Sequence, residues 1–105
     1  MPESYCVILT TVGKRLEAEE LARLLVTRRL AACVQITAIS SFYVWNDELH
    51  DDAEHLLLIK TAASRYAEIE AAIRANHSYE VPEIVQLPVE GGLPEYLDWL
   101  SSRVR

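Results

Sequence analysis

The sequence predicts an α+β fold of order β-α-β-β-α-β closed by an extra C-terminal helix, the ferredoxin-like arrangement, and three observations predict it. Strand-forming runs recur along the chain, stretches of helical spacing separate the outer runs from the middle pair, and the middle pair is joined by a short acidic connection that makes it a long hairpin. Right-handed crossovers then put both main helices on one face of an antiparallel sheet. With 105 residues, half of them hydrophobic, the chain suffices for one domain over 1–105 with one core.

The first strand is expected over 4–11, rich in Tyr, Val, Ile and Thr and closed by Gly13. A helix over 15–30 follows, with Ala18, Leu21, Ala22 and Leu25 on one stripe and an i, i+4 pair of Glu19 with Arg23. Glu17, Glu19 and Glu20 open it and Arg28 and Arg29 close it, as the macrodipole favours. The period then becomes two: Ala32, Val34, Ile36 and Ala38 share one face, and Cys33, Gln35 and Thr37 the other. Ile39 breaks this alternation, which predicts a bulge or bend within 38–41.

The hairpin arms are expected over 32–45 and 53–61, flanking a connection over 46–52. At about 3.4 Å per residue the first arm alone reaches roughly 45 Å, more than twice an ordinary strand. A ribbon that long exposes unpaired N–H and C=O groups, so the hairpin predicts a partner chain, most economically a second copy of the protein. The continuous run Leu56-Leu57-Leu58-Ile59 predicts a central strand covered on both faces. Ser64 is the expected N-cap of a second helix with stripe Tyr66, Ile69, Ala72 and Ile73, ending near Asn76 and carrying a Glu70–Arg74 pair. A polar loop over 77–81 leads to a last strand over 82–89, whose Pro82 and Pro88 mark it as an edge. Gly91-Gly92 breaks the chain, and Pro94 opens a helix bearing Tyr96, Leu97, Trp99 and Leu100. In this strand order Cys6 and Cys33 sit roughly 9.5 Å apart. A disulfide needs Cα atoms within about 7 Å, so both are expected to be reduced.

A formal charge of −6 argues against a nucleic-acid groove. The first residues lack the regions of a signal peptide and no apolar run approaches a membrane span, so the expectation is a soluble, cytoplasmic protein with no membrane partner.

Five ordered motifs carry a resemblance. Leu30-Ala31-Ala32-Cys33-Val34-Gln35, Ser41-Phe42-Tyr43-Val44-Trp45, Glu54 with Leu58-Ile59-Lys60-Thr61, His77-Ser78-Tyr79-Glu80-Val81-Pro82-Glu83-Ile84 and Tyr96-Leu97-Asp98-Trp99-Leu100 together resemble the CutA family of divalent-cation tolerance proteins. The resemblance implies a homotrimer of ferredoxin-like subunits, similar to the PII signalling proteins, whose hairpins pair with neighbouring chains. It implies binding of copper or other divalent cations, no catalytic reaction, and in animal members the anchoring of acetylcholinesterase. Gln35 replaces the family's usual Asn, Ser78 its usual Pro, and Asn46-Asp47 a Gly-containing turn.

Candidate residues follow from chemistry. Cys33 offers a soft thiolate suited to Cu(I), or is simply a small residue of a half-buried strand. His77 and Glu80 complete the expected metal set, and Lys60, Tyr79 and Glu83 a cleft that the resemblance places near a subunit boundary, with a Lys60–Glu ion pair as the alternative reading. Tyr43 and Trp45 are expected to pack across the hairpin or the interface. His50, Asp51, Asp52, Glu54 and His55 near the hairpin tip read as solvated side chains, and Cys6 as core.

Four readings compete with a metal-binding trimer. One is a PII-like sensor of a small anionic ligand and another a scaffold for a second protein. A phosphatase of the acylphosphatase type shares the fold, but the anion-cradling pattern is absent around Gly13, Lys14 and Arg15. An RNA-recognition domain also shares it, without the aromatic strand motif or the basic charge.

Overall fold

The computed structural model describes residues 3–105. Its elements are β1 (Tyr5–Val12), α1 (Arg15–Thr27), β2 (Cys33–Trp45), β3 (Glu48–Ala62), a 3-10 turn (Ala63–Arg65), α2 (Tyr66–Ala75), β4 (Ile84–Val89) and α3 (Pro94–Arg103). The four strands form one antiparallel sheet of order β2-β3-β1-β4. The edge position expected for the last strand is observed, and Pro88 is tolerated there because every second N–H of an edge strand points away from the ladder. No helix among the described residues is long and apolar enough to cross a membrane.

One face of the sheet carries the core. Cys6, Ile8 and Val12 of β1 and Leu57 and Ile59 of β3 are buried against Ala18, Leu21 and Leu25 of α1 and Ile69, Ala72 and Ile73 of α2. Leu56 and Leu58, on the opposite face, are only half-buried, so the central strand is fully covered on one side rather than two. The thiols behave as expected: both cysteines are free, and burial pushes the Cys6 thiol up despite a hydrogen bond with Gln86.

Several local expectations are corrected. Helix α1 ends at Thr27 rather than at residue 30, because Arg29 adopts a positive φ of 58° and turns the chain. The Arg29 side chain, though exposed, is not free: it donates to the carbonyls of Ser102 (3.1 Å) and Arg103 (3.4 Å), at the negative end of α3. Ser64 lies in the 3-10 turn and is not the N-cap of α2. Glu70 accepts the Tyr66 hydroxyl at 2.9 Å instead of pairing with Arg74, whereas the Glu19–Arg23 pair is present at 3.7 Å.

The hairpin differs most from expectation. Its turn is two residues, Asn46 and Asp47, both at positive φ (53° and 63°), the geometry of a type I′ turn whose twist matches the strands. No bulge occurs at 38–41: the register runs unbroken from Cys33↔Lys60 to Trp45↔Glu48. The change of phase has another cause. Val34 and Ile36 are half-buried against the helix-side core, whereas farther along Ile39 and Ser41 are half-buried on the opposite face, where Tyr79 reaches Glu54, the partner of Ile39. The cover changes sides while the strand stays regular. The hairpin thereby gives the molecule its length, 46 × 25 × 22 Å.

Candidate functional site

The sequence-predicted residues fall at two ends of the sheet. Cys33 pairs with Lys60 at the hairpin base, and Lys60 pairs with Val7. The Lys60 ammonium lies 5.6 Å from the centre of the Tyr96 ring, a cation–π contact, and forms no ion pair with a glutamate among the described residues. The expected Lys60–Glu pair is therefore replaced by a contact with α3. Lys60 shares its face of the sheet with Cys33, because residues opposite each other in a ladder point the same way.

His77 belongs to the other end. Its Nε2 lies 2.7 Å from the carbonyl oxygen of Thr11, and its Nδ1 accepts the Tyr79 N–H at 3.0 Å. A backbone N–H can only donate, so Nδ1 is bare and Nε2 carries the hydrogen. With both ring nitrogens engaged within the chain, His77 braces the loop. Thr11 pairs with Leu56, four residues along β3 from Lys60, which sets the two ends about 13 Å apart. Cys33, His77 and Glu80 thus do not meet within one chain, nor does Lys60 join Tyr79 and Glu83. No group of three His, Cys, Asp or Glu residues close enough to hold a metal occurs among the described residues.

What the fold does assemble is a cleft between the distal hairpin and the loop after α2. Tyr43, Trp45 and Glu54 line one side and Tyr79, Glu80, Pro82 and Glu83 the other, around a volume of about 650 Å³. The Tyr79 hydroxyl donates to Glu54 at 2.7 Å, and Tyr43, stacked on His50 with ring centres 5.1 Å apart, donates to Asp52 at 2.6 Å. Tyr43 thus packs across the hairpin as expected. Both phenols hold their protons strongly. Burial, then the hydrogen bond to Glu54, raises Tyr79 above its ordinary range, and the bond to Asp52, then burial, pushes Tyr43 up to about 12.

Two neighbours fix Tyr79. A Cβ at Gly13 would lie 3.2 Å from its hydroxyl oxygen, so glycine leaves room for the phenol to pass. Glu17 accepts both the N–H (2.9 Å) and the hydroxyl (3.2 Å) of Ser78, neither of which proline at this position could donate. Sequence reasoning treated Glu17 as a solvated helix residue and Glu54 as part of a solvated tip. Glu54 is in fact only 6% exposed. The signal for it was its place in the strand alternation, on the same face as Leu56 and Leu58.

Comparison with known proteins places this geometry. Residues 6–103 match the family model described as CutA1 divalent ion tolerance protein. The chain belongs to that family. The divalent-cation tolerance protein CutA of Thermus thermophilus is 45% identical over 97 residues, covering 91% of this chain and 94% of that protein. The chloroplastic CutA of Arabidopsis thaliana is 41% identical over 100 residues, and here the chain spans 55% of the relative's length. Among solved structures, the Thermus thermophilus protein superposes with a TM-score of 0.92 at 42% identity, covering 96% of this chain and 99% of that one. Oryza sativa CutA1 gives 0.94 at 39% identity, covering 97% and 94%. The ferredoxin-like α+β fold of this chain is that of the CutA1 structures, and its family links it to tolerance of divalent cations.

Proposed function

We propose that this chain acts, without catalysis, as a homotrimeric divalent-cation-binding protein of the metal-tolerance response, with copper the first candidate ion. The hairpin carries the reading. Phe42, Val44 and Leu49 are 68%, 67% and 74% exposed on its distal part, beyond the reach of the helices. Apolar side chains so exposed, on a ribbon with unpaired edges, are what a neighbouring chain covers. Trp45 adds a further aromatic anchor for such an interface.

An assembly also supplies what one chain lacks. Cys33 at one end of the sheet and Glu80 and Glu83 at the other can share an ion only when different subunits provide them. A thiolate and carboxylates from two subunits give a mixed donor set for copper and related ions. Native mass spectrometry with calorimetry against Cu(II) tests the reading. A trimer with saturable binding, weakened by Cys33→Ala and by joint Glu80→Gln and Glu83→Gln replacement, is the expected result; a monomer, or a trimer without saturable binding, contradicts it.

A second reading, a PII-like sensor of a small anionic ligand, is favoured by Lys60, whose ammonium meets an aromatic ring and no carboxylate among the described residues. Thermal shift with nucleotides and organic acids tests it, and a shift lost in Lys60→Met supports it. Cytoplasmic residence is part of the same proposal, and fractionation of the host checks it.

A further inference from the structure

We infer that the trough between the end of α1 and the side of α2 is a docking site for an acidic peptide segment of a partner protein. The trough has a volume of about 810 Å³ and follows α2 from Glu68 to its cap Asn76, roughly 12 Å along the helix. Leu30, Ala71, Ala72 and Ala75 give it a floor of apolar, mostly small groups, and Arg28, Arg29 and Arg105 line it as well. The backbone brings these arginines together. Arg29 turns the chain out of α1 at positive φ, its guanidinium holds the last carbonyls of α3, and its own carbonyl accepts the Arg105 N–H at 3.0 Å. Two charges far apart in the sequence thereby meet at one helix end.

Charge complementarity selects the occupant. The chain carries −6 overall with ten lysines and arginines, yet three of the ten line this trough. The ion pairs among the described residues use Arg15, Arg23 and Arg65, so none of the three meets a carboxylate at ion-pair distance. Glu68 is the one acidic side chain lining the trough among the described residues, and Arg65 already pairs with it. Guanidinium forks match carboxylates in shape as well as charge, and arginine clusters are a recurring means of reading acidic motifs.

Shape favours a peptide over a small anion. Arg28, Ala71, Ala75 and Arg105 are all exposed, so the trough is open along its length, whereas a small-ligand site buries most of its ligand. A segment lying along α2 rests small side chains or backbone on the alanines and reaches the arginines with its carboxylates. Nucleic acid or an anionic membrane extends far past the trough and meets the negative remainder of the chain. A short segment keeps its charge within the roughly 8 Å over which the arginines act at physiological salt. The trough is complete within one chain and lies in the helix layer. None of the hairpin side chains proposed for the subunit interface lines it, nor do Cys33 and Lys60. The site is therefore distinct from both the metal and the anion sites proposed above.

The test titrates the full chain in its native assembly against a fluorescein-labelled peptide of repeated Glu-Ala-Ala-Glu, read by fluorescence anisotropy, with the matching Gln-Ala-Ala-Gln peptide beside it. Saturable binding of the acidic peptide at submillimolar concentration, and none of the glutamine peptide, is expected. Exposed ionic contacts are screened, so the affinity should fall severalfold between about 0.02 and about 0.5 M sodium chloride. Joint Arg28→Glu and Arg105→Glu replacement should weaken binding by about tenfold or more. Ala71→Glu, at an exposed helical position, should weaken it in the same direction, and Arg29 is kept because it holds α3. Lys14→Glu with Arg15→Glu makes the same change of charge at the far end of α1 and should leave binding unchanged. No saturable binding, equal loss with both pairs of charge reversals, or displacement by inorganic phosphate as readily as by the unlabelled peptide overturns the inference.

Discussion

Tyr79 shows how much one side chain organises here. Its phenol crosses Gly13 to reach Glu54, and its N–H engages His77, so it ties the loop after α2 to both β1 and the hairpin. Replacing Gly13 by Ala should crowd the phenol and loosen its bond to Glu54, lowering stability by about 1 kcal/mol, measured by denaturant unfolding. Tyr79→Phe should cost a comparable amount, because it leaves a buried carboxylate without its donor. The tyrosines also set a pH response. Their native titration is raised above the ordinary value of about 10, so the unfolded chain loses these protons first. The stability they contribute is complete below about pH 10 and falls as the pH rises through the native values, about 12 for Tyr43. Phenolate absorbance should follow this fall, and Tyr43→Phe should remove its part of it. Little of this was legible in the sequence. The motif from His77 to Glu83 marked the loop, but periodicity along a chain says nothing about which distant backbone carbonyl occupies an imidazole nitrogen. The bonds of His77 to Thr11 and to the Tyr79 N–H therefore had no signature in the motif.

At the scale of elements, the strands and helices were legible because their periods are strong, and the errors lie where backbone conformation departs from them. Asn46-Asp47 carries no glycine, yet both residues hold positive φ, and the short turn lengthens β3 back to Glu48. Asp47→Gly should relieve the left-handed strain and raise stability by a few tenths to about 1 kcal/mol in chemical denaturation, whereas valine there should lower it. Arg29 is the helical counterpart. Its positive φ ends α1 early and aims the guanidinium at the last carbonyls of α3. Arg29→Ala should destabilise by about 1 kcal/mol or less and speed amide exchange in the last turn of α3. Arg29→Gly, which keeps the turn and loses the contact, should produce the same fraying. The phase change near Ile39 was read correctly as an event and wrongly as a bulge. A sequence records which residues are apolar, but not whether the strand or its cover has changed.

For the whole molecule, the order β2-β3-β1-β4 and the single-sided helices follow from chain connectivity and handedness, which is why they could be anticipated. The placing of Cys33 and Glu80, both named in the expected metal set, at separate ends of the sheet could not, because periodicity along a chain does not fix which strand ends and loops adjoin. The hairpin is the physical link between these facts, extending an 11.9 kDa chain to 46 Å while leaving Phe42, Val44 and Leu49 uncovered. Charged replacements at Val44 and Leu49 should weaken assembly while leaving the core intact, because neither residue belongs to it. Native mass spectrometry of the unmodified protein at micromolar concentration tests the central claim most directly. A trimer that dissociates when Val44 and Leu49 are replaced by lysine is the predicted result, and a stable monomer of the unmodified chain would contradict it.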